Sequence, residues 1–154
     1  MVETTLSGAS HHILTNDYAS EWMGIEVLKL DDGHATIRMH LRQEMLNGFG
    51  MAHGGMIFAF GDTAFALACN PANPTPQQAA NITVASGVDI NFIKPAFQGQ
   101  VITAVANRRA STGRSGLYDI QIYAASPDAP STTDTQPGEL IAEFRGRSRT
   151  ISKK

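Results

Sequence analysis

From Gly54 to Cys69 the chain reads as a helix that is apolar on nearly every face, with Ala, Phe, Ile, Leu and Met around the whole wheel. A helix of that kind must be enclosed. It stops before Asn70-Pro71, because a residue ahead of proline is pushed out of helical geometry, and it is fed by the Gly-rich loop QEMLNGFGMAHGG. Two β-prone runs precede it, GIEVLKL and HATIRMHL, joined by the hairpin signal DDG. Ahead of them Asn16 or Asp17 can cap a short helix through about Trp22. Past the helix, NPANPTPQQ reads as a proline-rich surface loop, and four further β-prone runs cover 81–93, 100–109, 116–125 and 139–152. The turns between those runs are KPAFQG, STGRSG and the longer polar SPDAPSTTDTQPGE.

Two strands, one long helix and four strands give no strand-helix alternation, so a parallel doubly wound sheet is excluded. The expectation is an α+β fold in which a curved antiparallel sheet wraps around one long central helix. At 154 residues, with no internal repeat, the chain is expected to be one domain over 1–154. Its sheet edges and outer face are open to neighbouring subunits, and a charged content of only 17 % points the same way, so at least a dimer is expected. A net charge of −2 gives no general attraction to nucleic acid or to an anionic membrane. The N-terminus MVETTLSGASHHIL has no basic region followed by an apolar run, and the longest apolar run is shorter than the roughly 20 residues a bilayer needs. Lone Cys69 reads as a small core residue. A soluble protein of the reducing cytoplasm is expected.

The candidate chemistry lies at the start and middle of the long helix. HGG puts Gly54 and Gly55 where first-turn N–H groups lack intrahelical partners and the helix dipole adds positive charge. Those amides can hold a developing oxyanion, or the glycines serve only a tight turn and close packing. Asp62 is a carboxyl among Ile57, Phe58, Phe60, Phe65 and Leu67, where desolvation raises its pKa; that fits a base or nucleophile, and a structural hydrogen-bonding role is the alternative. Eight residues separate Asp62 from Gly54, roughly 12 Å along the axis, too far for both to serve one carbonyl within one chain. A two-fold dimer that faces the amides of one chain with the carboxyl of the other removes the difficulty. GFGMAHGG lacks the Gly-Lys-Ser/Thr ending of a phosphate loop, and the histidines and cysteine show no metal-ligand spacing, so no metal is expected.

The segment NGFGMAHGGMIFAFGDTAFALACN, continued through VASGVDINFIKPAFQGQVITAVANRRASTGRSGLYDIQIY and IAEFRGRSRTI, resembles hotdog-fold acyl-CoA thioesterases of the phenylacetate-degradation type, the PaaI thioesterases. The resemblance covers roughly 22–151. It implies that the Gly54 amide polarises a thioester carbonyl, that Asn47 positions substrate or water, and that Asp62 of the partner chain is nucleophile or general base. Thr63 and Ser86 match positions where relatives place hydroxyls near the attacking water, and His53 matches the motif histidine, as either a structural hydrogen-bonder or something more. An aromatic acyl-CoA such as phenylacetyl-CoA is the implied substrate, with no separate cofactor, in a homodimer assembled as a dimer of dimers.

For the phosphates of coenzyme A the basic candidates are Arg114 first, then Lys94, Arg108, Arg109 and the last-strand Arg145, Arg147 and Arg149. For the acyl group they are Phe49, Met51 and Phe65, each also a candidate for plain core packing. The rival functions are a hotdog enoyl-CoA hydratase or dehydratase, for which no second catalytic histidine stands out, and a non-catalytic acyl-CoA sensor, which gains little from a desolvated carboxyl.

Overall fold

The computed structural model describes residues 7–129 and 136–153; residues 1–6 of the N-terminal reading, 130–135 of the long polar turn and 154 lie outside the described residues. In chain order the elements are β1 (Ser7–Gly8), α1 (Tyr18–Met23), β2 (Glu26–Asp31), β3 (His34–His40), α2 (Gly54–Cys69), α3 (Pro76–Ala79), β4 (Asn81–Phe92), β5 (Val101–Thr112), β6 (Ser115–Ala125) and β7 (Glu139–Ser152). The strands form one sheet in the order β1-β2-β3-β5-β6-β7-β4. Every pairing is antiparallel except the short β1–β2 contact, which is parallel.

The six long strands and the long helix fall where the sequence places them. Two details differ. The two-residue β1 is too short to leave a periodic signal. Within the proline-rich stretch, Thr75 and Gln78 form a reciprocal capping box that starts α3, so this connection is not all loop.

Register shifts between Val27 and Lys29, Ala85 and Gly87, Arg108 and Ala110, and Ile122 and Tyr123 bend the sheet. Its inner face presents alternate buried residues: Ala35, Ile37 and Met39 on β3, Ile102, Ala104 and Ala106 on β5, Ile120 and Ile122 on β6, Ala142 and Phe144 on β7. Phe60 and Phe65 of α2 seal against this face. The approach is close enough that a Cβ on Gly61 would stand 2.8 Å from the Phe144 ring, and one on Gly146 would stand 2.7 Å from the Phe65 ring.

The expectation of a fully enclosed α2 is corrected. Gly55, Phe58 and Asp62 are exposed, and Ala59, Ala66 and Cys69 are half-buried, so a stripe at helical spacing stays bare. The sheet wraps only one side of the helix. A stripe destined for another chain has the same apolar composition as a core, which is why the sequence alone did not separate them. Nearby, β4 is an edge strand whose one strand neighbour among the described residues is β7, and Ile82, Val84 and Phe92 on it are exposed.

The C-terminal end of α2 is fixed to β4 by one side chain. Asn70 Nδ2 donates to the carbonyls of Ala66 and Thr83, each at 3.0 Å, and Asn70 Oδ1 accepts from Thr83 N at 3.0 Å.

Candidate active site

The loop before α2 is built by Asn47. Its Oδ1 accepts the N–H groups of Phe49 at 2.9 Å and Met51 at 3.2 Å, while its own N–H donates to Met51 O at 2.7 Å. This network orients the side-chain amide, leaving Nδ2 without a partner among the described residues. His53 is the N-cap of α2: its Nδ1 accepts the Gly55 N–H at 2.9 Å. The Gly55 amide is therefore spent on the cap. The Gly54 N–H has no partner among the described residues, and this narrows the two-amide expectation to one free donor.

Asp62 lies on the bare stripe of α2. Its side chain reaches solvent in the isolated protomer, contrary to the expectation of a buried carboxyl. Partial burial against its apolar surroundings, and then the negative charge of Asp17, hold its pKa above the usual carboxylate range. Thr63, half-buried beside it, has its hydroxyl 2.9 Å from Ser20 Oγ on α1. Nothing in the sequence signals that link, because the Asp17-x-x-Ser20 spacing reads only as a helix cap and the partner on α2 is chosen by packing.

The remaining candidates are spread out. Ser86 is the extra residue of the β4 bulge, and its hydroxyl donates to Arg147 O at 3.0 Å. Phe49 is 86 % exposed at the loop tip, whereas Phe65 is a core residue packed on Tyr118 and Phe144 and cannot line a site. Lys94 lies 3.7 Å from Glu139. Arg108 pairs with Asp32, Arg109 and Arg145 with Asp119, and Arg147 with Asp89, while Arg149 touches Ser115 Oγ. The last-strand arginines thus form a paired outer face. Arg114, in the β5–β6 turn, is exposed and its guanidinium has no partner among the described residues. A cleft of about 560 Å³ opens at the opposite end of α2, lined by residues that include Cys69, Asn70, Arg108 and Tyr118, and it contains neither Gly54 nor Asp62.

A free amide at a helix start and a perturbed carboxyl on the same helix suit attack on a carbonyl with oxyanion support. Residues 49–130 match the model of the thioesterase superfamily. The chain belongs to this family. Within it, the acyl-coenzyme A thioesterase PaaI of Escherichia coli K12 is 36 % identical over 142 residues, 92 % of this chain and 89 % of the relative. The structure of the E. coli PaaI protein from the phenylacetic acid degradation operon superposes with a TM-score of 0.76 at 34 % identity, covering 93 % of this chain and 91 % of the other. The TT0310 protein of Thermus thermophilus gives 0.71 at 28 % identity, with 87 % and 97 % covered. This thioesterase therefore has the hotdog fold of the PaaI type, as its strand order and central helix suggest.

Proposed function

We propose that this thioesterase, as a single domain over 1–154, hydrolyses acyl-CoA, with aromatic phenylacetyl-type acyl groups foremost, at sites shared by the two chains of a homodimer in the cytoplasm. The observation that carries the reading is the pairing on one helix of a Gly54 N–H without a partner among the described residues and an uncovered Asp62, its pKa raised by partial burial, eight residues further on. The roughly 12 Å between them makes each useless to the other in cis and complementary in trans. The name of the E. coli relative and the operon named for its structure support the substrate class.

Gly54 N–H of one chain polarises the thioester carbonyl, and Asn47 Nδ2 helps to orient it. Asp62 of the other chain takes a proton from water as the water oxygen bonds to the carbonyl carbon. The carbonyl electron pair moves onto oxygen and is held by the amide. When it returns, the C–S bond breaks and the CoA thiolate leaves, taking back the proton from Asp62. Thr63 flanks the water. Ser86, its proton committed to Arg147 O, has only lone pairs to offer. His53 acts by holding the helix start. Arg114, whose guanidinium is bound to neither an acid nor a hydroxyl among the described residues, takes a CoA phosphate, with Lys94 a weaker choice because Glu139 competes for it. Phe49 covers the acyl group once the second chain is in place, and two such dimers associate as a dimer of dimers.

The test is release of free thiol from phenylacetyl-CoA and from a panel of short, long and aromatic acyl-CoA esters. Asp62→Asn is expected to lose nearly all turnover while still binding substrate, and an active Asp62→Asn protein refutes the assignment. Mixing inactive Gly54→Val and Asp62→Asn chains tests the trans geometry. Half the dimers are then mixed and each has one good site, so recovery of up to about a quarter of wild-type activity is expected. No recovery with exchange verified rules the shared site out.

A further inference from the structure

Helix α1 is held at both ends. Asp17 caps its start, with Oδ1 accepting Ser20 N at 3.0 Å, and Gly24 closes it in the left-handed region at φ +72°. Arg42 donates to the carbonyls of Trp22 at 2.9 Å and Met23 at 3.3 Å, with its guanidinium 4.7 Å from the centre of the Trp22 ring. This short helix therefore presents Ser20, 1 % exposed, to α2 in a fixed position.

The protons of the three side chains can be assigned by counting. Asp17 Oδ2 is 2.7 Å from Ser20 Oγ, and a carboxylate only accepts, so the single Ser20 proton is committed to Asp17. The 2.9 Å contact between Ser20 and Thr63 must then run the other way, with Thr63 donating and Ser20 accepting. The single Thr63 proton points at Ser20. What Thr63 Oγ1 shows to its remaining surroundings is lone pairs alone, polarised by a chain that ends in a negative charge.

We propose that Asp17 and Ser20 are positioning residues of the hydrolysis: they hold Thr63 Oγ1 as an obligate acceptor beside Asp62, where it takes one O–H of the attacking water and leaves the other O–H to the carboxylate. This rests on the catalytic reading of Asp62 given above. A hydroxyl free to rotate would instead donate to Asp62 and blunt it as a base. The chain therefore favours a water held between two acceptors, with its oxygen lone pair turned to the thioester carbon.

Asp17 also acts on Asp62 through space, its negative charge adding to burial in raising the Asp62 pKa. Within the protomer the strands packed on α2 bring apolar residues to it, among them Ile122 of β6, Phe144 of β7 and Phe92 of β4, and the titratable groups against the helix are Tyr118 of β6, on Phe65, and His11, bonded to Asn70 O past the far end. Along α2 itself the titratable neighbour is Cys69, which burial keeps as the neutral thiol.

Asp17→Asn separates these roles from folding. Asparagine caps a helix as well as aspartate does, and its Oδ1 still accepts Ser20 N. Its NH2 group now sits where Oδ2 was and donates to Ser20 Oγ. The chain reverses: Ser20 donates to Thr63, and the Thr63 proton turns outward. The experiment is steady-state thiol release from phenylacetyl-CoA by full-length Asp17→Asn, Ser20→Ala and Asp62→Asn, with Tm measured for each.

For Asp17→Asn we expect kcat down about tenfold, KM and Tm close to wild type, and the acid limb of kcat/KM moved to lower pH. Ser20→Ala is expected to lower kcat and to move that limb to lower pH by less than Asp17→Asn does, because the freed Thr63 hydroxyl donates to Asp62 while the Asp17 charge remains. Wild-type kcat and acid limb in Asp17→Asn, alongside a dead Asp62→Asn, overturn the positioning role alone. A fall in kcat matched by an equal fall in Tm also overturns it, by assigning the pair to folding. An active Asp62→Asn overturns the catalytic reading on which the inference stands.

Discussion

His53 gives the sharpest separation between building the site and doing its chemistry. Its side chain makes the 2.9 Å bond from Gly55 N–H to Nδ1 at the start of α2. Replacing it with alanine removes an N-cap, which costs about 1 kcal/mol, or about 2–4 °C in Tm for a chain of this size. His53→Asn restores an oxygen able to accept the same N–H, so stability and kcat should both return to near wild type. His53→Asp restores the cap as well, and its charge favours the positive end of the helix.

That carboxylate, however, stands beside the Gly54 amide, where negative charge develops. A unit charge some 5 Å away at an effective dielectric of about 20 is worth about 3 kcal/mol, roughly a hundredfold in rate. The aspartate variant should thus be the stable and slow member of the series. The measurements are urea midpoints at one fixed protein concentration and kcat by thiol release. A His53→Asn protein with wild-type stability and the activity loss of Asp62→Asn would refute capping as the whole role of His53, because only imidazole chemistry would then remain to explain the loss.

Three further outcomes follow from the same contacts. Because folding raises the Asp62 pKa, the native state keeps a proton that the unfolded chain has lost, so stability falls as pH rises from the ordinary carboxylate value through the raised one. Asp62→Asn should accordingly be more stable than wild type above that window and equal to it below, as read by urea titrations across pH. Burial pushes the Cys69 thiol up to about 12, so, although half-buried beside the cleft, it should react with a thiol reagent at pH 8 far more slowly than after denaturant is added; native protein labelled as fast as unfolded protein would contradict that shift. Gly146→Ala forces a methyl into the Phe65 ring and should cost about 1–3 kcal/mol, measured as a lower Tm.

The strands and the long helix were legible because turn signals such as DDG and STGRSG bracket runs of high β-propensity, and because Asn70-Pro71 marks a helix end. The one misreading of α2 came from the same source as the success. Phe58 and Asp62 lie among apolar letters, and a wheel cannot tell a side that meets its own sheet from a side left bare. Candidate residues near one another in sequence, Asn47, His53, Gly54 and Asp62, were accessible to local reasoning. The fates of the arginines were not, since Asp119 and Asp89 reach Arg145 and Arg147 only through cross-strand register. Ser20 was invisible for a related reason: its meaning depends on which helix α1 happens to lean upon.

The Asn70 staple has a consequence for how the fold can diversify. With the far end of α2 locked to β4 by that residue, the ten residues between them, 71–80, are relieved of setting the helix position. Lengthening or rewriting the crossover should leave Gly54 and Asp62 in place, and this makes it a natural point for grafting new segments, whereas changing Asn70 would let the helix drift along the sheet and blur both halves of the site at once.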